Sequence, residues 1–133
     1  MRRKLISLGV VGQLAMALFI TASSVSAAGS VFAGTWLSTD FDGSTQALVV
    51  SGGTSPRVTY EDFYASSCDD NGFPATHWVS AGVGSVDGNT LSVDFHKSGC
   101  GIFSIGAYSD AWFYEPATDT LTDSSGITWS RFH

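Results

Sequence analysis

Basic residues are scarce in this 133-residue chain, with 6 Lys and Arg against 12 Asp and Glu. Three of the six, Arg2, Arg3 and Lys4, stand at the very start. Beyond Ala27 only Arg57, Lys97 and Arg131 oppose all the acidic residues, a net charge of −9. Phosphate backbones need a basic patch, so nucleic acid is excluded as a partner, and anionic membrane surfaces are poor ones. Cysteine (2) and proline (3) are sparse as well, and charged residues make up only 14%. So little charge does not fit a charge-driven disordered tail. The length allows one domain at most, which excludes a multidomain enzyme. It also excludes a long coiled coil, and no convincing run with a 3.6-residue period follows the first segment.

The first segment reads as export rather than fold. After Arg2-Arg3-Lys4, residues Leu5 to Ile20 are almost wholly apolar, with Gln13 the one strongly polar interruption. That run is short of the ~20 residues that span a bilayer. It ends in small residues, Val25-Ser26-Ala27-Ala28, which signal peptidase accepts. Residues 1–27 are therefore expected to be a cleaved signal peptide, and residues 28–133 a single antiparallel β-domain. The product would be secreted or periplasmic, with no stable membrane insertion after cleavage.

An even pair of cysteines, Cys68 and Cys100, in an exported domain is read as one disulfide. It would close a loop of about 33 residues, worth ~3–4 kcal/mol in the chain-entropy model. The lack of a Cys-x-x-Cys spacing argues against a metal pair or a reactive thiol.

Between turn signals such as Asp42-Gly43, Gly52-Gly53, Asp87-Gly88-Asn89 and Ser125-Gly126, the chain is rich in Val, Thr, Ile and aromatic residues. Leu91, Val93 and Phe95 alternate with Ser92, Asp94 and His96, a period of two. Strands are expected at Thr35–Thr39, Thr45–Ser51, Arg57–Phe63, Thr76–Val86, Thr90–Lys97, Ile102–Tyr108, Ala111–Glu115, Thr120–Asp123 and Ile127–Phe132. Short links make these an antiparallel meander. Closure into an all-β, up-and-down barrel of about eight strands hides its edges best, and a two-sheet β-sandwich is the alternative.

Gly34-Thr35-Trp36 near the start of this domain, with Arg131 near its end, resembles the calycins, the lipocalin-like and avidin-like barrels. The resemblance implies structural roles: Trp36 plugging one end of the barrel and Arg131 packing over its ring. The Thr-Asp-Tyr motif of lipocalins is absent, and no motif places a biotin site. Most of residues 34–131 also resembles a functionally uncharacterised family of small secreted bacterial β-domain proteins. That resemblance rests on Gly34-Thr35-Trp36, Asp42-Gly43-Ser44, Val86-Asp87-Gly88-Asn89-Thr90-Leu91, Pro116 to Asp123 and Thr128-Trp129-Ser130-Arg131. It implies export and a β fold and brings no activity.

Catalytic and metal chemistry find little support in the residues. His77, His96 and His133 lack the spacing of a metal site, and no Gly-x-Ser-x-Gly elbow accompanies Asp94 and His96. Asp40-Phe41-Asp42-Gly43 opens like a calcium loop, but later ligand positions fall on Ala47, Leu48 and Val49. Asp69-Asp70-Asn71-Gly72 reads equally as a turn. No catalytic residue, metal or cofactor is expected. The surplus is aromatic: alternation sends Phe113 to one face of its strand and Trp112 and Tyr114 to the other. Trp78, Trp112 and Tyr114 are the expected ligand- or partner-binding residues, with His77 able to join the same rim.

The function expected is a secreted, non-enzymatic binding or interaction module for an extracellular protein, inhibitor-like in kind. A calycin-like carrier of a small apolar ligand is the alternative, and would need a cavity of roughly 300 Å³ or more. A small secreted hydrolase is a further alternative, using facing carboxylates in a cleft.

Overall fold

The computed structural model of this chain describes residues 30–65, 68, 76–104 and 106–133. The expected signal peptide and the Asp69-Asp70-Asn71-Gly72 turn lie outside the described residues. The strands are β1 (Gly34–Thr39), β2 (Thr45–Val50), β3 (Arg57–Ala65), β4 (Thr76–Asp87), β5 (Thr90–Cys100), β6 (Phe103–Ser104), β7 (Tyr108–Glu115), β8 (Thr120–Asp123) and β9 (Thr128–Phe132). Strands β1 to β5 pair antiparallel in sequence order, and β5 continues to β7, β7 to β8 and β8 to β9. β9 then returns to β1, placing Trp36 opposite Arg131 and Leu37 opposite Ser130. Eight strands thus form a closed up-and-down barrel, and the sandwich alternative falls away. Closure satisfies the edges that a meander this small would otherwise expose.

The ninth strand, β6, is a two-residue extension. The expected strand Ile102–Tyr108 is not continuous: Cys100 pairs with Phe103 and Gly99 with Ser104. Gly101 turns this hairpin in the left-handed region, at φ 59°, where a residue without Cβ is free of steric cost. Strand β7 accordingly starts at Tyr108 instead of Ala111.

Aromatic side chains fill the barrel. Trp36, Leu48, Val58, Leu91, Val93, Phe95, Trp112, Leu121 and Trp129 are all buried in one core. Phe95 meets Trp112 edge to face at 6.1 Å, and Trp112 meets Trp129 the same way at 6.2 Å. Such pairs add ~0.5–1.5 kcal/mol each beyond the area they bury.

Two irregularities shift the inward face near one end. On β5, Lys97 pairs with Ala81 but Phe95 with Gly82, so His96 is an extra residue. His96 and Lys97 both point outward, and Ser98 and Cys100 turn inward. On β3 the register also slips, between Asp62 and Ala65, where Tyr64 adopts φ 68°. Phe63 and Tyr64 both point outward, and Ala65 turns inward. The bulges bring Ala65 and Cys100 to the same inner corner, where they pack with Cys68 and Trp78. The Cys68–Cys100 disulfide closes that corner with its Cα atoms 5.7 Å apart. Gly82 serves the close approach of β4 to β5, since a Cβ there would collide with the Asp94 carbonyl.

Candidate functional site

The two ends of the barrel are built differently. At one end, residues 30–33 fold across the opening, and Trp36 Nε1 donates to the Phe32 carbonyl at 2.8 Å. Arg131 lies over the indole, its guanidinium carbon 4.0 Å from the ring centroid. Its Nη1 donates to the Ala33 carbonyl and its Nη2 to the Val31 carbonyl, both at 2.8 Å. Its Nε donates to Asp119 in the β7–β8 turn at 2.9 Å. One guanidinium thereby joins the N-terminal segment, the last strand and a turn. The arrangement closes this end against ligand entry.

The other end is open. Its described connections carry residues 40–44, 101–104, 106–107 and 124–127, and Cys68 is bonded to Cys100 there. A mouth of about 230 Å³ is lined by Asp40, Gln46, Tyr60, Trp78, Tyr108, Asp110 and Asp123, among others. Alternation explains this set. Tyr60 follows Val58 along the inner face of β3, and Tyr108 and Asp110 precede Trp112 along that of β7.

Inner-facing side chains of the mouth are cross-linked. Gln46 Nε2 donates to the Tyr60 hydroxyl at 2.9 Å, and Ser38 Oγ donates to Gln46 Oε1 at 3.4 Å. Trp78 Nε1 and the Tyr108 hydroxyl both donate to Ser80 Oγ, at 2.7 and 2.9 Å. Asp123 organises the β8–β9 turn: its Oδ1 accepts from the Ser125 and Ile127 amides, and its Oδ2 from Trp129 Nε1 at 3.0 Å. Asp110 Oδ1 accepts from the Ala111 amide and from Ser124 Oγ, and Asp40 Oδ1 from the Phe41 amide. Burial, with Asp62 as the main charged neighbour, pushes the Tyr60 hydroxyl far above its ordinary range. Burial also raises that of Tyr108. Both phenols stay neutral and offer the mouth aromatic surface and a polar tip.

Asp62 stands directly between Gln46 and Trp78 on the inner face of this end. It is 2% exposed, and its Oδ1 has no hydrogen-bond partner. Burial raises its pKa above the ordinary 3.8, helped by Asp40 and Asp42 and opposed by Ser44 and Gln46.

The structure separates the three expected binding aromatics. Trp78 lines the mouth. Trp112 is buried in the core and presents no surface. Tyr114 sits at the closed end, 6.3 Å from the Trp36 ring. Alternation grouped Trp112 with Tyr114 correctly, but that shared face is the interior of the barrel rather than an outer patch. Phe113 is the residue that faces outward. His77 also points away from the mouth: it stacks on Phe63 at 4.6 Å, and its Nε2 lies 3.0 Å from Glu61 Oε2.

Tyr60, Tyr108, Gln46 and Asp62 escaped the sequence reading. An inward Tyr, Gln or Asp at the end of an apolar alternation was the available signal. The Asp40–Ser44 segment is a hairpin turn, with Asp42 Oδ1 accepting from the Ser44 amide at 2.8 Å. Among the described residues no three His, Cys, Asp or Glu side chains gather as a metal site. Asp94 accepts from Ser109 Oγ at 2.7 Å on the solvent side, and His96 is exposed beside it.

Apolar tips surround the open end. Phe41 is 82% exposed, Tyr64 80% and Ile102 93%, the highest values among the large apolar side chains described. They stand on three different connections or strand ends, all at this one end. Set against known protein families, curated proteins and solved structures, the chain matches none of them.

Proposed function

We propose that this chain is an exported, non-enzymatic recognition module that engages its target through the open end of the barrel. The observation that carries the reading is the gathering of Phe41, Tyr64 and Ile102 around a polar, aromatic mouth. Exposed apolar side chains scattered singly need no explanation, but their concentration at one end of a small domain points to an interaction surface. The disulfide and the leader-like first segment support export.

A deep apolar carrier is the weaker reading. Trp36, Trp112, Trp129 and Phe95 occupy the space that such a ligand would need. The mouth itself, at about 230 Å³, is edged with carboxylates and smaller than the roughly 300 Å³ expected of a ligand cavity. Hydrolysis is weaker still, because the carboxyl groups of Asp110 and Asp123 are engaged in holding turns.

Amide chemical-shift mapping tests the reading. The oxidised domain is titrated separately with n-butylammonium, 1-pentanol, glucose and acetate. Shifts clustered at residues 40–46, 60–64, 78–80, 108–110 and 123–127 are expected from at least one probe. Shifts confined to the closed end or the outer wall, or none from any probe, would overturn it.

A further inference from the structure

The mouth has an unbalanced charge. Asp40, Asp110 and Asp123 line it, and among the described residues no Lys or Arg does. Arg131 is at the closed end over Trp36, Arg57 begins β3 far from the mouth, and Lys97 points outward from β5. Among the described residues, the hydrogen bonds that the lining carboxylates accept come from amides, a hydroxyl and an indole. Neutral donors hold these groups in place without cancelling their charge. An anionic ligand would therefore be repelled.

Aromatic rings form the rest of the mouth. Tyr60, Trp78 and Tyr108 line it, with Trp78 and Tyr108 meeting edge to face at 6.2 Å. Ser80 engages the polar atoms of those two, so what they turn toward the mouth is mainly ring carbon. Ring faces attract cations through their quadrupole, most strongly where water is partly excluded.

A second observation is independent of the lining acids. Asp62 is almost wholly buried on the inner face between Gln46 and Trp78, two residues that line the mouth, and its Oδ1 has no donor in hydrogen-bonding geometry, although Ser44 and Gln46 lie close enough to favour its charged form. A buried carboxyl oxygen without a donor is uncommon and calls for an explanation. A cationic donor entering between Gln46 and Trp78 would supply one.

We propose that the mouth is a site for a small organic cation, an ammonium group on a short alkyl stem. The head group sits against Tyr60, Trp78 and Tyr108, within the field of Asp40, Asp62, Asp110 and Asp123. This inference rests on the reading that the open end is the recognition surface, and it names the chemistry taken there. Such a head group arrives either as a free amine or as the lysine side chain of a protein. A volume of about 230 Å³ admits either.

The same titration decides it, followed by mouth amide shifts and by tryptophan fluorescence. Binding of n-butylammonium about tenfold tighter than neutral 1-pentanol is expected. It should weaken several-fold in 0.5 M NaCl, as exposed charge attraction does at a Debye length of roughly 4 Å. Asp62→Asn should lose most of that preference while its thermal unfolding stays cooperative, so loss of fold is not mistaken for loss of site. A blocked Gly-Lys-Gly peptide serves as the second arm. Tighter binding than n-butylammonium assigns the cation to a protein lysine, and weaker binding assigns it to a free amine. If glucose or 1-pentanol moves the mouth resonances as strongly as the ammonium probe, the cation inference fails and the open-end reading survives. If no probe moves them, both fail.

Discussion

Arg131 lies over the Trp36 ring at 4.0 Å while two of its nitrogens bind the carbonyls of Val31 and Ala33. The two residues are also direct partners across the β1–β9 pairing. The contact therefore stands at the seam where the last strand meets the first. A cation–π contact of this kind is worth ~1–2 kcal/mol when partly desolvated, and hydrogen bonds from a charged donor add a similar amount. Arg131→Ala is expected to lower unfolding free energy by about 2–4 kcal/mol. Arg131→Lys should recover little of that, because one ammonium cannot serve a ring, two carbonyls and Asp119 together. Urea denaturation of the three proteins measures both. Equal stability of the Lys variant and the parent would show that the planar fork is irrelevant.

Cys68 and Cys100 join the β3–β4 link to the end of β5, beside Trp78. Removing the bond releases a loop whose closure is worth ~3–4 kcal/mol. Reduction, or Cys68→Ala with Cys100→Ala, should cost about that much in urea denaturation. The loss should be felt first at the mouth, with Trp78 becoming accessible to acrylamide before Trp112 and Trp129 do. Simultaneous exposure of all the tryptophans would mean that the bond supports the whole barrel rather than this end.

Much of the barrel was legible in the residues, and the reason is its regularity. Leu91, Val93 and Phe95 face inward as their alternation requires, and Asp87-Gly88-Asn89 makes the β4–β5 turn. Closure followed from the edge argument. What was not legible depended on breaks in period two. The extra His96 on β5 carries Ser98 and Cys100 inward, and the left-handed Tyr64 on β3 does the same for Ala65. Neither residue is a glycine, so neither announced a bulge. The burial of Trp112 has a related reason. Aromatic count pointed to Trp112, but in a barrel this narrow the largest side chains are the filling. The mouth is instead marked by polar residues that continue an inward face past the core: Gln46 before Leu48, Asp62 after Tyr60, and Tyr108 before Trp112.

Asp62 sets a pH dependence. Its folded pKa lies above the ordinary 3.8, chiefly through burial, with Asp40 and Asp42 adding to the rise. Ser44 and Gln46 oppose it. In the window above pH 3.8 the folded state therefore holds more proton at this site than the unfolded chain does. Stability from this group is full below that window and falls as pH rises through it. Asp119 acts in the opposite sense, since Arg131 holds its carboxyl below the ordinary range. Comparing Asp62→Asn with the parent cancels that contribution. The variant is expected to be more stable at pH 7, by about 1 kcal/mol, for relief of a buried carboxylate with one oxygen lacking a donor. The two should converge near pH 3. Thermal unfolding at both values checks this, and a variant that is less stable at pH 7 would show that the Asp62 carboxylate is satisfied in solution.

Tyr64 combines two costs. Its φ of 68° places a bulky residue in the left-handed region, and its ring is 80% exposed. A non-glycine residue held there costs of order 1–3 kcal/mol, and so exposed a ring returns little by burial. Such strain persists where the surrounding structure dictates it, and it clusters at sites that bind. Tyr64→Gly should therefore raise unfolding free energy by about 0.5–1 kcal/mol, the relief being offset in part by the entropy of glycine. If the open end is the recognition surface, the same variant should bind the target more weakly despite its greater stability. Stability gained with binding lost ties the strain to recognition. Stability lost instead would mean that the ring packs against neighbours in solution, and that the left-handed turn at Tyr64 is a structural device of the bulge.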